Sequence, residues 1–174
     1  GPRRTDGKWN VLTADHCVPR KKGDRGGMLT RDGQKLVVVV QVTDRESDIC
    51  WMTTEESVET LDFAYVAKSN PERGVRIWHN AWGIDKPGNT ESGTVTGDGP
   101  NRRNQLSMRL SVSQGDSGGG IFREDTGELI SCICCTNTRI VTSHTTTYGG
   151  STQMINQLHP DRSTIQPERT EDVS

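Results

Sequence analysis

The chain has 174 residues, with 21 Lys and Arg against 23 Asp and Glu, for a net charge of −2. A balance this even names no polyanionic partner, and no run approaches the ~18 apolar residues of a membrane-spanning helix. Hydrophobic residues are only 30%, while 19 glycines, recurrent Val and Thr and the lack of helix-period apolar stripes predict an all-β chain with many turns, about twelve strands of ~5–6 residues.

In chain order, a first strand over residues 8–13 contains the apolar run Trp9-Asn10-Val11-Leu12 and gives way to a loop at Thr13-Ala14-Asp15-His16-Cys17, where His16 faces outward. From Met28 the chain reads as a three-strand meander: a short strand, the turn Asp32-Gly33-Gln34, an apolar run over 36–42, the turn Asp44-Arg45-Glu46, then Ser47-Asp48-Ile49-Cys50-Trp51-Met52. Leu61-Asp62-Phe63-Ala64-Tyr65-Val66 follows, and residues 63–66 and 74–78 read as a crossover into a second β-unit. His79, between Trp78 and Trp82, reads as a strand or loop residue.

The densest signal is Gln114-Gly115-Asp116-Ser117-Gly118-Gly119-Gly120. Its glycines let the backbone turn sharply around a serine hydroxyl, the setting a nucleophilic serine needs once a base activates it. In the run from Leu129, strand alternation predicts Cys132 and Cys134 on one face and Cys135 on the other, as buried small hydrophobes. Thr142, His144 and Thr146 share a face if that stretch is a strand. Residues 151–158 read as a short capped helix, and 160–174 as a flexible polar tail.

The pair of motifs, TADHC followed roughly a hundred residues later by GDSGG, resembles the chymotrypsin-fold serine proteases, and the meander looks like that of compact bacterial high-temperature-requirement and small viral members. The resemblance implies two antiparallel Greek-key β-barrels and a short C-terminal helix. It divides the chain into residues 1–68 with the base and acid, 69–159 with the nucleophile, and the tail 160–174. It implies His16 as general base, Ser117 as nucleophile and Asp48 as the carboxylate, with Asp62 as rival because its Asp-x-Ala-apolar-apolar string also fits. The oxyanion donors are then the backbone N–H groups of Gly115 and Ser117. Ser111, Cys135, Thr136, His144 and Thr146 line the pocket for the substrate residue on the acyl side. None is acidic, which disfavours Arg or Lys there; Gln or Glu and small apolar side chains stay open.

The chain departs from the family in two ways. Members place a strand or two before the 8–13 strand, so the first barrel is expected to be incomplete, its edge covered by a strand-donating partner protein or left by a cloning boundary at Gly1-Pro2. The secreted disulfide framework is absent: Cys17 lacks its upstream partner and Ser113 stands where another family cysteine would be. With an odd count of 5 cysteines and no visible secretory signal, this points to an intracellular setting, the host cytoplasm for a viral protein. No cofactor or metal is expected, and a zinc site from the cysteines with His144 has non-standard spacing. The reading is a serine endopeptidase acting on a protein or viral polyprotein. The alternative is a protease-fold RNA-binding or scaffolding module, motivated by basic runs at 20–25 and 101–103.

Overall fold

The computed structural model describes residues 1–18, 21–81, 88–137 and 146–160. The first half contains β1 (Asn10–Thr13), a single 3-10 turn (Asp15–Cys17), β2 (Arg25–Leu29), β3 (Lys35–Asp44) and β4 (Ile49–Thr54). The second contains β5 (Arg76–Ala81), β6 (Asn89–Val95), β7 (Gln105–Arg109), β8 (Gly120–Arg123), β9 (Leu129–Asn137) and β10 (Thr146–Gly150), followed by α1 (Thr152–Leu158). The architecture is thus all-β with one short terminal helix, and the described residues hold ten strands rather than about twelve.

The two halves close differently. β5 to β10 form a closed barrel in the order β10-β7-β6-β5-β8-β9, in which β8 returns beside β5 as a Greek key requires. Among the described residues β1 to β4 form an open antiparallel sheet in the order β1-β4-β3-β2, in keeping with the incomplete first unit expected. Ile77, Leu106, Met108, Ile121, Ile130 and Ile133 belong to the cluster that fills the barrel.

All six residues of β4 are buried, because both faces of this strand are covered. On one face Cys50 and Met52 pack with Val38 and Val40 of β3. On the other, Ile49 and Trp51 pack with Ile155 of α1. The helix starts where Ser151 accepts a hydrogen bond from the Met154 N–H at 3.1 Å. It is fastened by the Trp51 indole N–H donating to the Ile155 carbonyl at 2.9 Å and by Asn156 donating to the Ala67 carbonyl at 2.8 Å. The terminal helix therefore serves as the lid that the open sheet lacks.

The expected alternation of the cysteines fails at one residue. β9 opposes Cys135 to Tyr148 but Ile133 to Gly149, so Cys134 is the extra residue of a β-bulge. The consequence is that Cys132 is buried, Cys134 half-buried and Cys135 exposed, rather than all three filling the core.

Candidate active site

The site lies where the open sheet meets the barrel. His16 sits on the 3-10 turn just after β1, and Asp48 ends the turn between β3 and β4 rather than opening the strand. That turn is built by Asp44, whose carboxylate accepts the Ser47 N–H at 3.0 Å and the Ser47 hydroxyl. It leaves Asp48 at φ 60°, a left-handed conformation that non-glycine residues adopt seldom but that Asp tolerates.

Asp48 holds His16 at two points. Its Oδ1 accepts the His16 backbone N–H at 2.9 Å, and its Oδ2 accepts the ring Nδ1–H at 2.5 Å. The Asp48 carbonyl accepts the Asp15 N–H at 3.2 Å, which ties the two turns together. With Nδ1–H donating to the carboxylate, Nε2 of the neutral ring is left as an acceptor. The Asp48 side chain is 10% exposed and the His16 side chain 41%, so the carboxylate is shielded while the imidazole reaches solvent. Asp62 is exposed, on the loop that lines an apolar cleft with Trp9, Leu61 and Phe63. The structure brings Asp48 to His16 and leaves Asp62 elsewhere.

The barrel also grips the acid-bearing turn. Gln105 of β7 donates to the Glu46 carbonyl at 3.2 Å and to Cys134 Sγ at 3.6 Å, and the Cys134 thiol hydrogen-bonds the Asp48 carboxylate. Gly150 lies so close to β4 that a Cβ there would be 2.4 Å from Ile49 Cγ1.

Ser117 is presented by the loop between β7 and β8. Buried Asp116 turns its carboxylate back to accept the Ser113 N–H at 2.8 Å and the Ser113 hydroxyl at 3.4 Å, so this aspartate stabilises its own loop. The Gly118 N–H donates to the Ile133 carbonyl at 2.7 Å and the Gly119 N–H to the Asp116 carbonyl at 3.1 Å. Gly118 has φ 86° and a Cβ there would come 2.4 Å from Thr13 Oγ1, so this glycine lets the loop dock against β1. Gly115 has φ 101°, and among the described residues neither its N–H nor that of Ser117 donates to a protein acceptor.

The Ser117 hydroxyl donates to the Cys134 carbonyl at 3.4 Å. The His16 Nε2 contact is with Cys17 Sγ at 3.7 Å, and Cys17 Sγ lies 3.5 Å from the Ser117 carbonyl. The Cys17 thiol therefore touches both the His16 ring and the backbone of Ser117. Burial, then the Asp48 carboxylate, raises the Cys17 thiol above its ordinary range.

Of the pocket residues, Ser111 is half-buried, and its carbonyl accepts from Nε2–H of His79, a fully buried β5 residue, at 2.7 Å. Cys135 is exposed and Thr136 half-buried on β9, and Thr146 is exposed on β10, paired with Asn137 and Arg109. His144 and Thr142 lie outside the described residues. Cys17, Cys134 and Gln105 went unassigned in the sequence reading. Cys17 and Cys134 had a signal, adjacency to His16 and to the bulged Cys-x-Cys-Cys run; Gln105 had none. Among the described residues no three His, Cys, Asp or Glu side chains converge where a metal ion could sit.

Open sheet, closed barrel and terminal helix define the chymotrypsin-like fold class, in which a site at the junction of the two units is the rule. The sequence matches the family model described as the trypsin-like peptidase domain over residues 4–132, and the chain belongs to that family. No curated protein sequence matches it. Among solved structures it is similar to the serine endoprotease from Yersinia pestis, at 15% identity and TM-score 0.66, over 89% of this chain and 53% of that one. It is also similar to the HtrA-type protease AlgW with a decapeptide, at 15% identity and TM-score 0.69, over 91% and 48%. The chain thus spans about half the length of each. Among the described residues no helix is long and apolar enough to cross a membrane.

Proposed function

We propose that this chain is a serine endopeptidase in which Ser117 is the nucleophile, His16 the general base and Asp48 the orienting acid. The two-point hold of Asp48 on His16, facing the Ser117 loop, carries the reading. Rotation of the Ser117 hydroxyl from the Cys134 carbonyl toward His16 Nε2 starts the reaction. His16 accepts the proton as Ser117 Oγ attacks the peptide carbonyl, and Asp48 stabilises the imidazolium that forms. The Gly115 and Ser117 N–H groups, which donate to no protein acceptor among the described residues, receive the developing oxyanion in this reading, and each is worth ~100- to 1000-fold in turnover. His16 then returns the proton to the leaving amine, and water attacks the acyl-enzyme by the same route.

The substrate is a polypeptide. β8 pairs with β9 as far as Cys132 and the Gly118 and Gly119 backbone bonds Ile133, so among the described residues the edge of β9 is open from Cys134 for an extended peptide to add as a strand. Ser111, Cys135, Thr136 and Thr146 are neutral, which supports an acyl-side residue other than Arg or Lys, with Gln or Glu and small apolar side chains both open. The five free thiols support an intracellular setting, and the open edge of β1 supports a strand-donating partner. Processing of a polyprotein is the narrower form of the substrate reading.

Labelling with a fluorophosphonate probe tests the assignment. The native protein is labelled at Ser117, Ser117→Ala is not, and Asp48→Asn is slowed about 10⁴-fold by the wrong imidazole tautomer. An unlabelled native protein removes the enzyme reading for this chain. Loss of labelling in Asp62→Asn, with Asp48→Asn unaffected, overturns the triad assignment.

A further inference from the structure

Gln105 opens β7 at the junction of the two units and is only 5% exposed. A side-chain amide nitrogen carries two N–H donors. Gln105 Nε2 donates to the Glu46 carbonyl at 3.2 Å and to Cys134 Sγ at 3.6 Å. Glu46 lies in the turn that ends at Asp48. Cys134 is the bulged residue of β9, and its carbonyl accepts the Ser117 hydroxyl at 3.4 Å. One nitrogen is therefore a single contact away from the backbone of the Asp48 turn and a single contact away from the residue that holds Ser117 Oγ. Among the described residues Gln105 makes no hydrogen bond of its own to His16, Asp48 or Ser117.

The backbone that aims this amide is pinned. Asn101 Oδ1 accepts the N–H groups of Arg103 at 2.9 Å and of Gln105 at 3.0 Å, and the Asn101 N–H donates to the Gln105 carbonyl at 2.9 Å. This turn leaves Asn104 at φ 56°. Asp48 and Asn104 are the two non-glycine residues with positive φ among the described residues. Such backbone persists where its surroundings over-determine it, and it clusters at functional sites. Here the side chain that follows Asn104 reaches across to the turn that ends at Asp48.

We propose that Gln105 is a positioning residue: by holding the Glu46 carbonyl and Cys134 Sγ from one nitrogen, it sets the spacing between the turn that carries Asp48 and the strand that receives the Ser117 hydroxyl. This rests on the reading of His16, Asp48 and Ser117 as the reacting groups. The polarity of the contacts gives the role its direction. An amide N–H can only donate, so Cys134 Sγ is the acceptor on the Gln105 side and its own proton goes to the Asp48 carboxylate. Asp48 thus receives the Cys134 S–H beside the His16 backbone and ring N–H groups. Loss of the amide releases the bulge and the turn together, and a misplacement of ~1 Å at a reacting centre costs on the order of 100-fold in rate.

Gln105→Met keeps the length of the side chain and removes both donors. Fluorophosphonate labelling of Ser117 is expected to fall about a hundredfold per folded molecule, with the folded fraction read from urea denaturation. The proton resonance of His16 Nδ1–H, which reports the bond to Asp48, is expected to move from its native position. Ile77→Val, a change confined to the barrel cluster, keeps both readouts at native values once corrected for folding. Should Gln105→Met not fold, Gln105→Asn retains the amide but draws it back one methylene, and labelling slows at least about tenfold. In a double-mutant cycle with Cys134→Ala the losses are non-additive, the double variant labelling no slower than the slower single one. Native-rate labelling in a folded Gln105 variant, an unmoved Nδ1–H resonance, an equal fall in Ile77→Val, or fully additive losses would each overturn the proposal. An unlabelled native protein removes the peptidase reading instead, and the Nδ1–H resonance still reports whether Gln105 sets the Asp48–His16 geometry.

Discussion

Every strand of the barrel has two neighbours, whereas the four-stranded sheet ends in β1 on one side and β2 on the other. Among the described residues the barrel's cluster contains nine buried residues and the sheet's own contains four, with the sheet's second face covered by Ile155, Met154 and Leu158 of α1 and by Val66 and Leu129. Yet His16 and Asp48 stand on the sheet. The half that holds His16 and Asp48 is therefore stabilised by the half that holds Ser117, through Trp51 and Ile155, the Gln105 contacts and the close approaches at Gly118 and Gly150. What the difference teaches is that the junction shapes the site and also supplies much of the sheet's stability.

Breaking the junction is the most severe test of that dependence. Trp51→Ala removes the largest side chain of the shared cluster and is expected to cost ~3–5 kcal/mol, read from urea denaturation. In this variant the amides of β3 and β4 should exchange with solvent before those of β7 and β9. Simultaneous exchange would show that the barrel is no more self-sufficient than the sheet. Gly118→Ala places a Cβ against Thr13 at a left-handed φ and is expected to cost ~1–3 kcal/mol and to slow Ser117 labelling about a hundredfold. A variant that loses stability but labels at the native rate would mean that the docking is structural only.

Alkaline pH separates the halves with one thiol in each. Burial raises Cys50 in the sheet and Cys132 in the barrel from 9.0 to about 12. A thiol raised in the folded state keeps its proton there while the unfolded chain gives it up. Stability from this source is intact below 9 and falls between 9 and 12, by ~1.4 kcal/mol per pH unit for each thiol. Cys50→Ala and Cys132→Ala should each remove about half of that slope in denaturation curves at stepped pH. An unchanged slope in both would mean the thiols are not its source. The smallest effect is expected at Asp62→Asn, within ~0.5 kcal/mol of native stability by denaturation and unchanged in labelling, because this carboxylate is exposed and away from His16.

His16 and Ser117 were legible because each sits in a short local motif whose geometry is set by its neighbours: a strand end for one, a glycine loop for the other. Expecting Asp48 rather than Asp62 beside His16 rests on counting strands, and the meander before Ile49 carries enough turn residues for it. The Cys134 contact with Asp48 was hidden by the assumption of unbroken alternation, since a bulge depends on pairing with β10 and leaves no mark within β9. Gln105 was invisible for a related reason: its partners Glu46 and Cys134 are 59 and 29 residues away. The apolar residues of α1 predicted a helix but not what it covers.

The hydrogen bond from Trp51 to Ile155 spans 104 residues, and this separation orders events during synthesis. At the usual ribosomal pace the interval between the two residues is on the order of 5–20 seconds. For that time the sheet has one bare face, and the turns carrying His16 and Asp48 lack the Gln105 and Gly150 contacts that later brace them. The serine itself is made before the lid arrives. A nascent chain thus holds His16, Asp48 and Ser117 for a while without the packing that aligns them, until α1 has folded.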